Sequence, residues 1–314
     1  MTSLIGVSLN IGSHVWYVRQ VLAESAAAAA AGYQIEVRDA ADDPKRQVAQ
    51  ILEFLDLGVA AILLSATRAD ALDEALDACV DRGVPVVGES IALRHPAVVA
   101  EVRVDDTAAG LPLGVAAGRA VTVAPGRVPL VMLVGHTKLH EAHDRERGFL
   151  EGFRSVHANV AAVYVDGRAQ VQLARAATRD AIAALGPFAR AVPDALFGVD
   201  DESVIGARQG YADLDIRLTG TIAATYGISP PSGPAHMDDG TITFGAAMFP
   251  EWHGEVLMGL ALAHLRGAAH PVLVNPPSAV VTAAGTPTGW DRFYRRHGDR
   301  YELDRDAVQA LESR

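Results

Sequence analysis

Leu4-Ile5-Gly6-Val7-Ser8-Leu9, then Asn10-Ile11-Gly12-Ser13-His14 and the aromatic pair Trp16-Tyr17, is the stretch that decides the fold. The first six residues read as a buried strand and the next five as a short loop. The aromatic pair opens an alanine-rich helix that ends near Ala31-Gly32. A strand over 34–38 follows, then an acidic turn and helix start at Asp42-Asp43-Pro44 and an apolar-periodic helix through Leu55. Strands at 59–64 and 84–88 flank a further helix over 69–81. Strands this apolar, alternating with helices of about ten to fifteen residues, predict a parallel sheet with helices on both faces. Ligands of such sheets bind beyond the carboxyl ends of the strands, which directs attention to the loops 10–17, 65–70 and 89–95.

The same order then repeats. A strand over 99–104 ends at Asp105-Asp106, which reads as a domain edge, and the helix 107–120 opens a second series. Strands are expected at 129–134, 160–165, 195–199 and 216–222, with helices at 144–155, from 169 to Leu185, and at 203–212. Residues 223–239, rich in Gly, Pro and Ser, read as loop. A strand over 241–248, a helix over 253–265 and a strand over 278–282 precede a tail with Trp290, Phe293 and Tyr294 and a charged helix over 304–313. The aromatic tail is expected to dock by buried area rather than to form a site.

The 314 residues, 50% of them hydrophobic, can bury a substantial core and suggest two domains. A net charge of -11 offers no basic face for a phosphate backbone, so nucleic acid is not expected as a partner. The single cysteine, Cys79, excludes an internal disulfide and reads as a small core residue on a helix face. No apolar run approaches the ~18 residues of a membrane span. The first strand begins almost at Met1-Thr2-Ser3, so the chain reads either as cytosolic or as one whose export signal has been removed.

Catalytic signatures are missing from the loops that would carry them. There is no P-loop, no dinucleotide fingerprint after the first strand and no nucleophile elbow. His136, His140 and His143 have a spacing that could suit a metal, but the segment starts as a loop and no carboxylate completes a recognised signature. They read as polar loop or ligand-facing residues, and neither metal nor cofactor is expected. Among four acid pairs, only Asp105-Asp106 and Asp200-Asp201 close predicted strands. Trp16 and Tyr17 read either as ordinary core or as an aromatic face toward a ligand. Arg145, at a helix start, reads either as a surface ion-pair partner or as a fork onto ligand oxygens.

Taken in order, many of these segments resemble the sugar-binding, ribose-like group of type I periplasmic binding proteins, whose fold is shared with lactose-repressor-type effector domains. The resemblance rests on Ile5-Gly6-Val7-Ser8-Leu9, His14-Val15-Trp16-Tyr17, Asp39-Ala40-Ala41-Asp42-Asp43-Pro44 with Gln47, and Gly58-Val59-Ala60-Ala61-Ile62-Leu63-Leu64. Gly83-Val84-Pro85-Val86-Val87, Val104-Asp105-Asp106, Arg145-Glu146-Arg147-Gly148-Phe149, Ala195-Leu196-Phe197 with Asp200-Asp201, and Asp239-Gly240-Thr241-Ile242 extend it to about Thr282.

The resemblance implies two doubly wound α/β parallel-sheet lobes, 1–106 with 249–279 and 107–248 with 280–314, joined by a three-strand hinge. It implies a ligand held in the cleft by lobe closure. Carried over by position, the contacts fall at His14, Trp16, Tyr17, Ser90, Ile91, Arg145, Asp200, Ile222 and Met248, with Glu89 added if the loop shifts by one. Ser90-Ile91, Ile222 and Met248 stand where sugar binders place polar groups, so the ligand is expected to be less hydroxylated than a pyranose, or differently arranged. The implied function is that of a monomeric, non-enzymatic solute-binding component of an ABC importer. It would bind a small polar solute such as a sugar or polyol, partner a membrane permease, and work in the periplasm or at the cell surface. The alternative is the sensing domain of a repressor-type regulator or a periplasmic sensor.

Overall fold

The computed structural model describes residues 3–184, 192–228 and 230–312; of His140 it describes only the backbone. The chain divides into two compact units, Met1–Val104 with Phe249–Pro276 and Asp105–Met248 with Pro277–Arg314. It therefore passes from one unit to the other three times.

The first unit contains β1 (Ser3–Leu9), α1 (Val15–Ala30), β2 (Tyr33–Asp39), α2 (Pro44–Leu57), β3 (Ala61–Ser65), α3 (Asp73–Arg82), β4 (Val86–Glu89) and β5 (Val98–Val102). The second begins with α4 (Asp106–Ala120), β6 (Leu130–Gly135), α5 (His140–Val156), β7 (Ala161–Asp166), α6 (Val171–Ala184) and β8 (Ala195–Gly198). It continues with α7 (Asp201–Ala212), β9 (Ile222–Tyr226), α8 (Ser232–Asp238) and β10 (Phe244–Ala247). The chain then returns to the first unit for α9 (Pro250–Leu265) and β11 (Leu273–Val274). It ends in the second with β12 (Ala279–Val281), β13 (Tyr294–His297), β14 (Arg300–Leu303) and α10 (Arg305–Glu312).

Each unit is built on a six-stranded sheet. The orders are β2-β1-β3-β4-β5-β11 and β7-β6-β8-β9-β10-β12, the same winding twice. All neighbours are parallel except β12, which runs antiparallel to β10. Strands covered on both faces need apolar residues throughout, and Ile5, Val7, Ile62, Leu63, Val86 and Val87 are accordingly buried. Local chemistry sets the helix ends. Asp43 caps α2 by accepting from the Lys45 and Arg46 amides, Pro44 pre-sets the first turn, and Gly58 closes the helix at φ 71. Cys79 is buried, and burial pushes its thiol up to about 11, so it behaves as core.

In the second unit α4 and α5 meet at backbone distance. Gly110, Gly114 and Gly118 repeat every four residues along α4, and Gly148 and Gly152 answer them from α5. A Cβ on Gly114 would stand 2.0 Å from the Phe149 carbonyl oxygen, and one on Gly152 2.0 Å from that of Leu111. Small residues here allow the helices to touch without side chains between them.

Several strand boundaries differ from expectation. The fourth parallel strand of this unit is 222–226, not 216–222, because the chain turns at Gly220 (φ 80) and runs into the sheet only afterwards. The stretch expected as loop, 223–239, therefore contains most of β9 and all of α8. Leu273–Val274 adds an edge strand beside β5 that was not expected. The tail holds a hairpin, β13–β14, ahead of α10. Trp290, Phe293 and Tyr294 are buried there, and the Trp290 indole N–H donates to Asp238 at 2.9 Å, so the aromatic tail docks onto the end of α8. Leu185 and Ser313, expected as helix ends, lie outside the described residues.

Gly152→Ala should cost about 1–3 kcal/mol by forcing α4 and α5 apart. Gly259→Ala, whose Cβ would meet nothing within 4 Å on α9, should instead stabilise the protein by roughly 0.5–1 kcal/mol. Urea unfolding of the two variants side by side checks both signs.

Candidate functional site

In the first unit the loop between β1 and α1 is held from both sides. The Gly12 amide donates to Asp39 Oδ1 at 2.8 Å, and His14 caps α1, its Nδ1 accepting from the Trp16 amide at 3.2 Å. In the neutral ring that leaves the proton on Nε2. Tyr17 is buried and its hydroxyl lies 2.7 Å from Ser65 Oγ, which fastens the start of α1 to the carboxyl end of β3. Gln47 reinforces the same edge. Its Nε2 donates to Ser8 Oγ and the Ser65 carbonyl, and its Oε1 accepts from the Thr67 amide.

Behind Trp16 lies a buried polar chain. The Trp16 indole N–H donates to Gln20 Oε1 at 2.8 Å, and Gln20 Nε2 donates to Glu24 Oε1 at 2.9 Å and to Glu89 Oε1 at 3.0 Å. Glu89 Oε2 lies 3.0 Å from His253 Nε2 of α9, and the His253 ring packs edge-on against Trp16 at 5.7 Å. Gln20, Glu24, Glu89 and His253 are all buried. Burial, with the Glu89 carboxylate adding to it, pushes Glu24 up to about 8.

In the second unit Arg145 of α5 joins three elements. Its Nε donates to Asp106 Oδ1 at 2.9 Å at the start of α4, and its Nη1 donates to the Val199 carbonyl at 3.2 Å just past β8. The guanidinium lies 4.5 Å from the ring centroid of Tyr226, the last residue of β9. Burial opposes its charge, but Asp106, Tyr226 and Glu141 outweigh that, so Arg145 stays protonated. Its side chain is 27% exposed, and three of its five N–H groups have no hydrogen-bond partner among the described residues. The buried Tyr226 hydroxyl likewise has no partner among them. Burial, with Asp106 close by, raises it well above the usual phenol range, which keeps it a donor. Asp200 caps α7 by accepting from the Ser203 amide at 2.8 Å, and burial raises Asp201 well above the usual carboxylate range.

The expected contacts fall partly on each unit. His14, Trp16 and Tyr17 gather at the strand ends of the first unit, and Arg145 and Asp200 at those of the second. Glu89 ends β4, but it is buried and engaged with Gln20 and His253. Ser90 follows it in an exposed left-handed turn (φ 63), with the half-buried Ile91 next to it. Met248 sits buried just past β10. Ile222 is at the opposite edge. It opens β9 in register with Ala195, the first residue of β8, while Tyr226 stands at the carboxyl end. Tyr226, against Arg145 at the carboxyl end of β9, was not singled out from the sequence, and placing β9 correctly would have pointed to it. The histidines near 140 form no triad that can be described: His136 Nδ1 accepts from the Lys138 amide and His143 faces Glu146, while the His140 side chain lies outside the described residues.

Two six-stranded sheets of identical winding, with polar side chains gathered at the carboxyl ends of the strands, define the type I periplasmic binding protein fold. Residues 5–269 match the periplasmic binding protein domain family, and the chain belongs to it. A Mycobacterium smegmatis protein in complex with β-D-fucofuranose is similar over 90% of this chain and 92% of its own, with 21% identity and a TM-score of 0.79. An ABC transporter periplasmic solute-binding protein from Actinobacillus succinogenes, with bound D-allose, covers 89% of this chain and 97% of its own at 16% identity and TM-score 0.78. The periplasmic component of the arabinose ABC transporter from Shewanella sp. ANA-3, bound to α- and β-L-arabinofuranose, covers 89% and 92% at 17% identity and TM-score 0.77. No curated protein matches the sequence.

The chemistry of Glu24 gives a signed expectation. The folded chain keeps its proton to about pH 8, whereas an unfolded glutamate releases it near 4.5. Between those values the folded state binds more protons, so this group's contribution to stability falls as pH rises. Glu24→Gln should flatten the decline between pH 5 and 9 in thermal unfolding; an unchanged profile would mean that Glu24 titrates normally.

Proposed function

We propose that this chain is the solute-binding component of an ABC import system, holding a small hydroxylated solute, a sugar or polyol, and delivering it to a membrane permease. The observation that carries the reading is Arg145, a half-buried, charged guanidinium with three N–H groups unspent, held against the face of Tyr226 beside Asp106. A planar fork of this kind suits paired oxygens on a solute. Trp16, half-buried at the other unit's strand ends, supplies an apolar ring of the sort that sugar C–H faces pack against. Asp200 and the Tyr226 hydroxyl add an acceptor and a donor. Family membership supports binding without catalysis, and the sugars held by similar structures support the solute class. On this reading the protein works outside the cytoplasmic membrane, as a monomer, with no nucleic-acid partner. Ile222 drops out of the proposed contacts, Glu89 acts from behind Trp16, and Tyr226 joins them.

A thermal-shift and calorimetric screen across pentoses, hexoses, deoxy sugars and polyols tests the class. A solute at ~1,000 times its Kd should stabilise the protein by about 4 kcal/mol. Arg145→Lys keeps the charge beside Asp106 but removes the fork, and should weaken the solute so found by at least ~10-fold, about 1.4 kcal/mol. Equal affinity would take Arg145 out of the site, and silence across all carbohydrates would overturn the solute class.

A further inference from the structure

The buried chain behind Trp16 is not explained by solute binding, since Gln20, Glu24, Glu89 and His253 are all shut away from solvent. It is also costly. Two carboxyl groups share one amide group in the interior, and Glu24 Oε2, Glu89 Oε2 and both His253 ring nitrogens make no hydrogen bond among the described residues, although Glu89 Oε2 and His253 Nε2 lie 3.0 Å apart.

The orientation of Gln20 is fully determined. Its NH2 group donates both hydrogens, one to each carboxyl group, which forces its carbonyl oxygen toward the Trp16 indole N–H. The indole N–H can only donate, so a flipped amide would set its NH2 against another donor. Trp16 is thus pinned at its nitrogen by Gln20 and along its ring by His253, and both depend on the carboxyl pair.

We propose that Gln20, Glu24, Glu89 and His253 form a proton-linked positioning network for Trp16, in which the charge on Glu24 is relayed through the Gln20 amide to the indole ring. Its functional consequence, a pH-dependent hold on solute, rests on the reading of Trp16 as a solute-facing residue; the relay itself does not. Other charged groups on the elements of this unit are paired. Arg19 of α1 pairs with Glu251 of α9 at 2.6 Å along the same helix seam, Arg38 pairs with Glu36 on β2, and Arg103 lies 3.4 Å from Glu101 beside β5. Glu89 of β4 and His253 of α9 are the titratable groups that close on the network itself.

The direction follows from the donors. While Glu24 is protonated, the Gln20 N–H meets a neutral acceptor. Ionisation makes that bond charge-assisted, polarises the amide and strengthens the bond from its carbonyl oxygen to the indole N–H.

The test uses the solute-free protein, so it does not depend on the transport reading. The indole N–H resonance of Trp16, assigned with Trp16→Phe, is followed by nitrogen-15 NMR from pH 6 to 10. A downfield shift with a midpoint near 8 that is abolished in Glu24→Gln is the expected result. A flat Trp16 resonance in the wild-type protein would overturn the proposal without recourse to any variant. A titration that persists in Glu24→Gln would overturn it as well, by assigning the proton elsewhere. If the relay holds but the solute's affinity is the same at pH 6.5 and 9, the network stands and Trp16 leaves the solute site.

Discussion

Two carboxyl groups held by a single amide in the buried interior of the first unit set the terms for what surrounds them. Glu24 and Glu89 come from a helix and a strand end and meet only at Gln20. Burial, with the nearby Glu89 adding to it, keeps the proton on Glu24, and Glu89 Oε2 lies 3.0 Å from His253 Nε2. Through these contacts α1, β4 and α9 are tied by polar groups as well as by the apolar cluster of Val7, Tyr17, Leu63 and Leu257. An apolar substitute for any one member would leave the others unsatisfied, a larger penalty than the net worth of a single hydrogen bond.

The second unit solves the matching problem with a charge that must remain charged. Arg145 is held by one carboxylate, one backbone carbonyl and one aromatic face, and the supports come from the start of α4, the end of β8 and the end of β9. These points are brought together by the winding order β6-β8-β9. The guanidinium therefore needs no loop of its own to fix its direction. Preorganisation of this kind lowers the entropy lost when a ligand is gripped.

Much of this was legible in the sequence, and the failures have physical causes. β1, β3 and β4 announce themselves as apolar runs, and Asp43-Pro44 and Gly58 punctuate α2 as caps do. β9 does not. Ala223-Ala224 offers small residues of weak strand preference, whereas Ile216 and Leu218 just before it alternate like a strand yet belong to no strand. That displacement put Ile222 in place of Tyr226. The pair Tyr294–His297 and Arg300–Leu303 was hidden for a related reason, since its arginines suggest a solvated coil and only Gly298, at φ 62, marks the hairpin. The network around Glu89 was not legible at all. Its partners lie 69 residues away at Gln20 and still farther off at His253, and no local pattern couples them.

The glycine seam between α4 and α5 bears on how this chain can change over time. Every single-nucleotide change in a glycine codon that still encodes an amino acid other than glycine adds at least a Cβ. At Gly114, Gly148 and Gly152 that atom would land within 2.2 Å of a backbone oxygen. Side-chain clashes can be relieved by a new rotamer, but a backbone carbonyl in a helix has nowhere to turn. The seam is therefore a place where drift is blocked one step at a time, while the side chain of Arg145, on the same helix, is 27% exposed and meets no such wall of backbone.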